Sequence, residues 1–179
     1  MILLRGGGAT LEVLLVRRNP AARFMGGAWV FPGGAVDASE EPETAGVREV
    51  AEESGVTLPD PGALVRFSRW ITPAEVRIRF DTHFFLAAAP ADAEPRPDGG
   101  ETVDLGWYGP QQALDAFARG EIDLVFPTIK TLEQLSGFAS ADELLAWADG
   151  RVVEPIEPQV VMEGEVARVV LPGEPGYRD

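Results

Sequence analysis

The chain contains no cysteine, which excludes disulfides and thiolate metal sites. It has a single histidine, His83, inside Phe80-Asp81-Thr82-His83-Phe84-Phe85. Alternation along that run puts Arg77, Arg79, Asp81 and His83 on one strand face. An internally satisfied or surface imidazole fits that place better than a catalytic base. Long apolar runs are missing as well. Met1-Ile2-Leu3-Leu4 is cut off by Arg5 and three glycines, too soon for a signal peptide. No later segment approaches the ~20 apolar residues that a membrane span needs. A cytoplasmic protein is the expectation. Positive charge is scarce too. A net charge of −14 repels nucleic acid and anionic membranes, and no basic-aromatic platform offsets it. Neither is expected as a partner.

What is present is ordinary globular material. The 179 residues are 45% hydrophobic and 25% charged, enough for one well-buried core without a second full domain. The runs 11–17, 28–31, 64–70, 76–87 and 103–108 read as strands. Helices are expected from Pro42 to about Ser54 and over 110–119, 128–135 and 141–149. Residues 88–100, rich in Pro, Ala, Asp and Gly, read as a mobile loop. This order predicts an α/β fold, a mixed sheet between helical layers. One domain spans 1–179, with a core over about 1–120 and a helical and irregular C-terminal extension over about 121–179. Trp29, Trp70, Trp107 and Trp147 read as core.

The most informative stretch runs from Gly34 to Val56. Pro42 suits the first helical position and Gly55 the left-handed stop after Ser54. Gly46 inside this helix implies close packing on a neighbour. Val47, Val50, Ala45 and Ala51 make an apolar face. Glu49, Glu52 and Glu53 stand at i, i+3 and i+4, on what reads as a different face. Three like charges so close repel. A hard divalent cation with oxygen ligands, Mg2+ or Mn2+, removes the conflict. A merely solvated acidic helix does not explain the preceding Phe31-Pro32-Gly33-Gly34 or the closing Gly55.

Gly34-x5-Glu40-x7-Arg48-Glu49-Val50-x-Glu52-Glu53-x-Gly55-Val56 resembles the box of the Nudix family, with every defining position filled. That resemblance implies an α/β/α sandwich and metal-dependent hydrolysis of diphosphates in which a nucleoside diphosphate is joined to another group. Glu49, Glu52, Glu53 and the carbonyl of Gly33 are then the metal ligands. Glu52 or Glu49 is the base, and Arg48 and Glu40 are orienting residues. Glu101 and Asp104 are candidates for an acidic residue from outside the box.

A second resemblance concerns the substrate. Leu14-Leu15-Val16-x-Arg18-Asn19-x3-Arg23-x3-Gly27-x3-Phe31-Pro32-Gly33-Gly34 is similar to the motif of Nudix hydrolases that cleave coenzyme A. Val16 and Asn19 depart from it, each replacing a hydroxyl. Arg18 and Arg23 suit a substrate with a 3′-phosphate beyond its diphosphate. Together with Gly34 and Glu101 they are the expected substrate contacts. Trp70-x-Thr72-Pro73, Arg79-Phe80-Asp81-Thr82 and several later stretches resemble the animal peroxisomal coenzyme A diphosphatases. The gap between Gly34 and Arg48 lacks the insertion of those proteins, and Tyr177-Arg178-Asp179 is no peroxisomal address. Coenzyme A or acyl-CoA is therefore the expected substrate. Other nucleoside diphosphate compounds, such as ADP-ribose, dinucleoside polyphosphates or oxidised nucleotides, remain the alternative. So does a binding module without turnover. Oligomeric state stays open, a homodimer included.

Overall fold

Ile2–Arg5 (β1) is the strand around which the sheet is organised. The computed structural model describes residues 1–8, 10–58, 60–164 and 166–178. β1 lies between Glu12–Arg18 (β2), antiparallel, and Asp81–Ala88 (β5), parallel. Trp29–Val30 (β3) and Thr102–Tyr108 (β6) also pair with β2. Val13 sits between Leu4 and Tyr108, and Val16 between Val30 and Leu105, so β1 and β3 share the β2 edge opposite β6. Beyond β5 come Val65–Ile71 (β4) and Pro155–Ile156 (β7), which closes the seven-stranded sheet. Gln159–Glu163 (β8) and Val166–Val170 (β9) make a separate hairpin.

Why β1 escapes a sequence reading is plain from its burial. Ile2, Leu3 and Leu4 are all inaccessible to solvent. A strand covered on both faces shows no alternation, and a short apolar run does not reveal its type. Each of these side chains contributes roughly 1.5–3 kcal/mol through burial.

The helix Pro42–Ser54 (α1) lies on one face of the sheet, where Val50 packs with Leu3, Leu14, Phe85 and Ala87. Pro42 stands in its first turn, and Gly55 closes it with φ 70°, its N–H donating to Ala51 O at 3.0 Å. A methyl group at Gly46 would come within 2.8 Å of Met1 Cε, which gives the close packing expected there. Pro110–Ala118 (α2), Phe126–Leu135 (α3) and Ala141–Ala148 (α4) supply Ala113, Leu132 and Leu144 to the core on the other face. The result is the expected α/β/α sandwich. Among the described residues no helix is long and apolar enough to cross a membrane.

Several local expectations are corrected. The long strand over 76–87 starts only at Asp81. Residues 72–80 instead form an exposed turn, with Thr72 N–H donating to Phe80 O at 2.9 Å. Arg77 and Arg79 therefore do not share a strand face with His83. The histidine stands 3.6 Å from Asp81 and stacks on Phe85. Trp29 and Trp70 are buried, but Trp107 is only half-buried, under Arg5, and Trp147 is exposed beside Arg151. The segment 89–101 is fastened rather than free. Ala89 N–H donates to Leu4 O, and Arg96 N–H donates to Ser54 O at the end of α1.

Candidate active site

Arg48 is the hub of the acidic helix. Its Nε and Nη2 reach the two oxygens of Glu40 at 3.2 and 3.0 Å. Nη1 donates to Glu49 at 2.7 Å and to Glu52 at 3.1 Å, and Nη2 also donates to Ala35 O. One planar fork thus joins the 35–40 turn to two carboxylates on α1. The Glu40 hydrogen bond, then the Glu49 one, hold the guanidinium even more firmly protonated than usual. The same contact holds the Glu40 carboxyl below the ordinary carboxylate range. Arg48 thus links Glu40 to Glu49 and Glu52.

Glu53 departs from expectation. It follows Val50 by three residues, so it stands on the apolar stripe of α1 rather than on a separate acidic face. It is only 4% exposed. Burial pushes its carboxyl up to about 7; the Gly33 N–H, donating at 2.9 Å, opposes this, and the nearby Glu49 charge adds to it. The Gly33 N–H therefore holds the Glu53 carboxylate. Gly34 leaves room for Glu49, since a Cβ there would collide with that carboxylate.

The three glutamates do not converge. Glu49 and Glu52 turn to Arg48, while Glu53 turns to Gly33. Among the described residues no three acidic or histidine side chains form a ready cation site. The donor chemistry nonetheless fits a hard divalent ion. All the donors are oxygens, the Gly34 cradle keeps Glu49 free of crowding, and Glu49 and Glu53 repel one another.

The substrate candidates fall in different places. Arg18 is on the α1 side of the sheet, near enough for its charge to favour ionised Glu53, and its Nε donates to Phe24 O at 3.3 Å. Arg23 is exposed and makes no ion pair among the described residues. Glu101 is exposed in the turn before β6, where its carbonyl accepts the Asn19 N–H at 2.8 Å. Asp104 faces away from the box. Leu105 and Trp107 pack on the α1 side, so Asp104 points to the opposite face. There, with Arg17, Trp29, Tyr108 and Arg119, it lines a polar cavity of about 470 Å³.

Sequence reasoning missed two members of the surroundings. Thr102 is buried, and its hydroxyl reaches Glu53 O at 2.9 Å. Asp98 receives N–H groups from Gly100, Glu101 and Thr102. The signal was Asp98-Gly99-Gly100, an aspartate opening a tight turn. Asn19, noted only as a departure, donates its side-chain amide to Gly100 O at 2.8 Å and so ties the arginine segment to this turn.

Comparison with known proteins agrees with this architecture. The chain is 33% identical over 124 residues to the human acyl-coenzyme A diphosphatase NUDT19, covering 66% of this chain and 33% of that protein. It is 30% identical over 193 residues to the putative nudix hydrolase 7 of Caenorhabditis elegans, covering 85% of this chain and 64% of that one. It thus spans a third of the first relative and under two thirds of the second. The crystal structure of a NUDIX hydrolase from Alicyclobacillus acidocaldarius superposes with a TM-score of 0.70 at 26% identity, over 81% of this chain and 92% of that one. The NUDIX domain family matches residues 1–128. With that match, the sandwich and the Arg48-centred box, the chain belongs to the Nudix family.

Proposed function

We propose that the protein hydrolyses the diphosphate of coenzyme A or an acyl-CoA, giving adenosine 3′,5′-bisphosphate and (acyl-)4′-phosphopantetheine. The observation that carries the reading is Arg18. It stands on the α1 side of the sheet within electrostatic reach of Glu53, so the coenzyme A-type segment and the Nudix box meet. The likeness to a human acyl-coenzyme A diphosphatase supports the same substrate. The reading includes a cytoplasmic location and leaves a homodimer open. It treats the segment from 121 onward as part of one domain, because β7 pairs with β4 and Leu132 and Leu144 lie in the core.

Glu49, Glu52, Glu53 and the Gly33 carbonyl would hold Mg2+ or Mn2+. A bound divalent ion acidifies water and offsets charge on the phosphate oxygens. Arg48 holds Glu49 and Glu52 in fixed rotamers. Glu52, 60% exposed at its side chain, is the carboxylate open to water and takes its proton. The water oxygen bonds to phosphorus as the anhydride P–O bond breaks. Arg18 and Arg23 bind phosphate oxygens, with Gly34 and Glu101 as further substrate contacts. Arginines at this end offset the field of a chain that carries −14 overall.

The test is product analysis with Mn2+ or Mg2+ on coenzyme A, ADP-ribose, NADH, dinucleoside polyphosphates and nucleoside triphosphates. Cleavage of coenzyme A at its diphosphate is expected. Rapid cleavage of another member with coenzyme A untouched overturns the substrate, and binding without any turnover overturns the enzyme. Glu52→Gln and Glu53→Gln are each expected to lose activity while remaining folded by circular dichroism. Full activity in either variant removes that residue from the proposed machinery.

A further inference from the structure

The polar cavity of about 470 Å³ lies across the sheet from the glutamates, and nothing in the proposed hydrolysis uses it. Its floor is one row of the sheet. Arg17 on β2 stands abreast of Trp29 on β3 and of Asp104 on β6. Arg17 alternates with Val13 and Leu15, so the row faces the α2–α4 side. Gly106 makes room for the ring of Tyr108, which a Cβ there would meet at 2.9 Å. That ring meets Trp29 edge to face, with centroids 5.5 Å apart. Gln112 on α2 and Asp123 beyond it also line the cavity.

The polar groups here are left open. Arg17 is half-buried and makes no hydrogen bond or ion pair among the described residues. Opposite charges abreast in a sheet attract one another, yet Asp104 does not pair with Arg17. One of its oxygens instead takes the Leu105 N–H at 2.9 Å. The Asp123 carboxylate is likewise without a partner among the described residues. Arg119, by contrast, is engaged by both oxygens of Glu121, at 2.7 and 3.0 Å. Gln112 accepts the Gly109 N–H at 3.2 Å through its oxygen and keeps its amide hydrogens free. One guanidinium, two carboxylates and one amide therefore remain for a ligand.

This set selects its occupant. A phosphate would meet two unpaired carboxylates beside one unpaired guanidinium, and a simple cation would meet Arg17. An uncharged ring with acceptors on one edge and donors on another satisfies both signs. A flat ring also suits the corner made by Trp29 and Tyr108. Guanine has this pattern. Its O6 and N7 accept two N–H groups of one guanidinium, and its N1–H and 2-amino group donate to a carboxylate. We propose that the cavity binds an uncharged purine nucleoside, guanosine best, at a site separate from the Nudix glutamates. The proposal does not depend on the hydrolysis proposed above.

The test is calorimetric titration of the full chain, in chelator, with guanosine, adenosine and ribose. One guanosine per chain is expected, with adenosine weaker and ribose not bound. Arg17→Met removes the fork and is expected to weaken guanosine binding about tenfold or more. Asp104→Asn/Asp123→Asn is expected to do the same. It changes two exposed side chains, so it keeps the test open should Arg17→Met fail to fold. Glu52→Gln is expected to bind guanosine as wild type does. No binding of guanosine up to its solubility limit overturns the proposal. Ribose binding as tightly as guanosine makes the cavity a sugar site and overturns it too. Guanosine binding that both cavity variants leave intact, or that Glu52→Gln abolishes, puts the ligand elsewhere and overturns it as well.

Discussion

The hydroxyl of Thr102 lies 2.9 Å from the main-chain carbonyl of Glu53 and 2.9 Å from Asp98 Oδ1. The hydroxyl has one proton to give; donated to the Glu53 carbonyl, it ties the turn before β6 to the last turn of α1, where carbonyls have no helical partner. Thr102→Val keeps the shape and removes this link. A loss of about 1–2 kcal/mol is expected, because a buried carbonyl is left unsatisfied. It would be read as a lower urea midpoint with an unchanged slope. An unchanged midpoint would show that the link contributes nothing.

Glu53 makes the metal-free protein sensitive to pH. Its carboxyl is raised from 4.5 to about 7 in the folded state, by burial first. Between those values the folded protein keeps a proton that the unfolded chain has released, so stability falls as pH rises. The full shift is worth on the order of 3 kcal/mol. The Met1 amine, lowered to about 6 by burial, contributes the opposite slope from about 6 to 8. The comparison with Glu53→Gln isolates the carboxyl. With chelator present the variant is expected to match wild type near pH 4 and to exceed it at pH 8. Parallel stability profiles would remove Glu53 as the cause.

Gly34→Ala places a methyl group against the Glu49 carboxylate. Glu49 must then leave its rotamer or the turn must shift. Weaker Mn2+ binding by calorimetry is expected, together with a fall in hydrolysis, while the far-ultraviolet spectrum stays the same. Unaltered Mn2+ affinity would show that the cradle is not part of the cation site.

Arg48→Lys retains charge but loses the fork. A single ammonium does not reach Glu40, Glu49, Glu52 and Ala35 O in the geometry seen for the guanidinium. A loss of about 10–100-fold in kcat/KM is expected, typical for residues that orient metal ligands. The decisive measurement is whether lysine recovers activity lost in Arg48→Ala. Full recovery would make charge, not geometry, the contribution of Arg48.

The helix of the box was legible because its ends are written in local chemistry, Pro42 at the start and Gly55 at the stop. Arg48 and Glu52, four residues apart, are matched by helical spacing alone, whereas Glu40 reaches Arg48 from a turn whose path no spacing gives. Glu53 was misread for the opposite reason. Its burial depends on the stripe it shares with Val50 and on what the sheet places beneath it. β1 was hidden because burial on both faces erases periodicity. The fastening of 89–101 was hidden because main-chain donors and acceptors such as Arg96 N–H and Ser54 O leave no mark in side-chain identity.

The parallel pairing of Ile2 with Leu86 carries a kinetic consequence. A chain emerging from the ribosome completes β1 and α1 well before β5 exists. Until β5 arrives, α1 has no Phe85 or Ala87 to pack on, and Glu53 has no reason to be dry. The early chain can zip β1 to β2 as a local hairpin, but the distant closure is slow because it bridges a long loop. The glutamates are thus among the last groups to reach their working places, and a nascent chain halted before β5 would carry the complete box and no site.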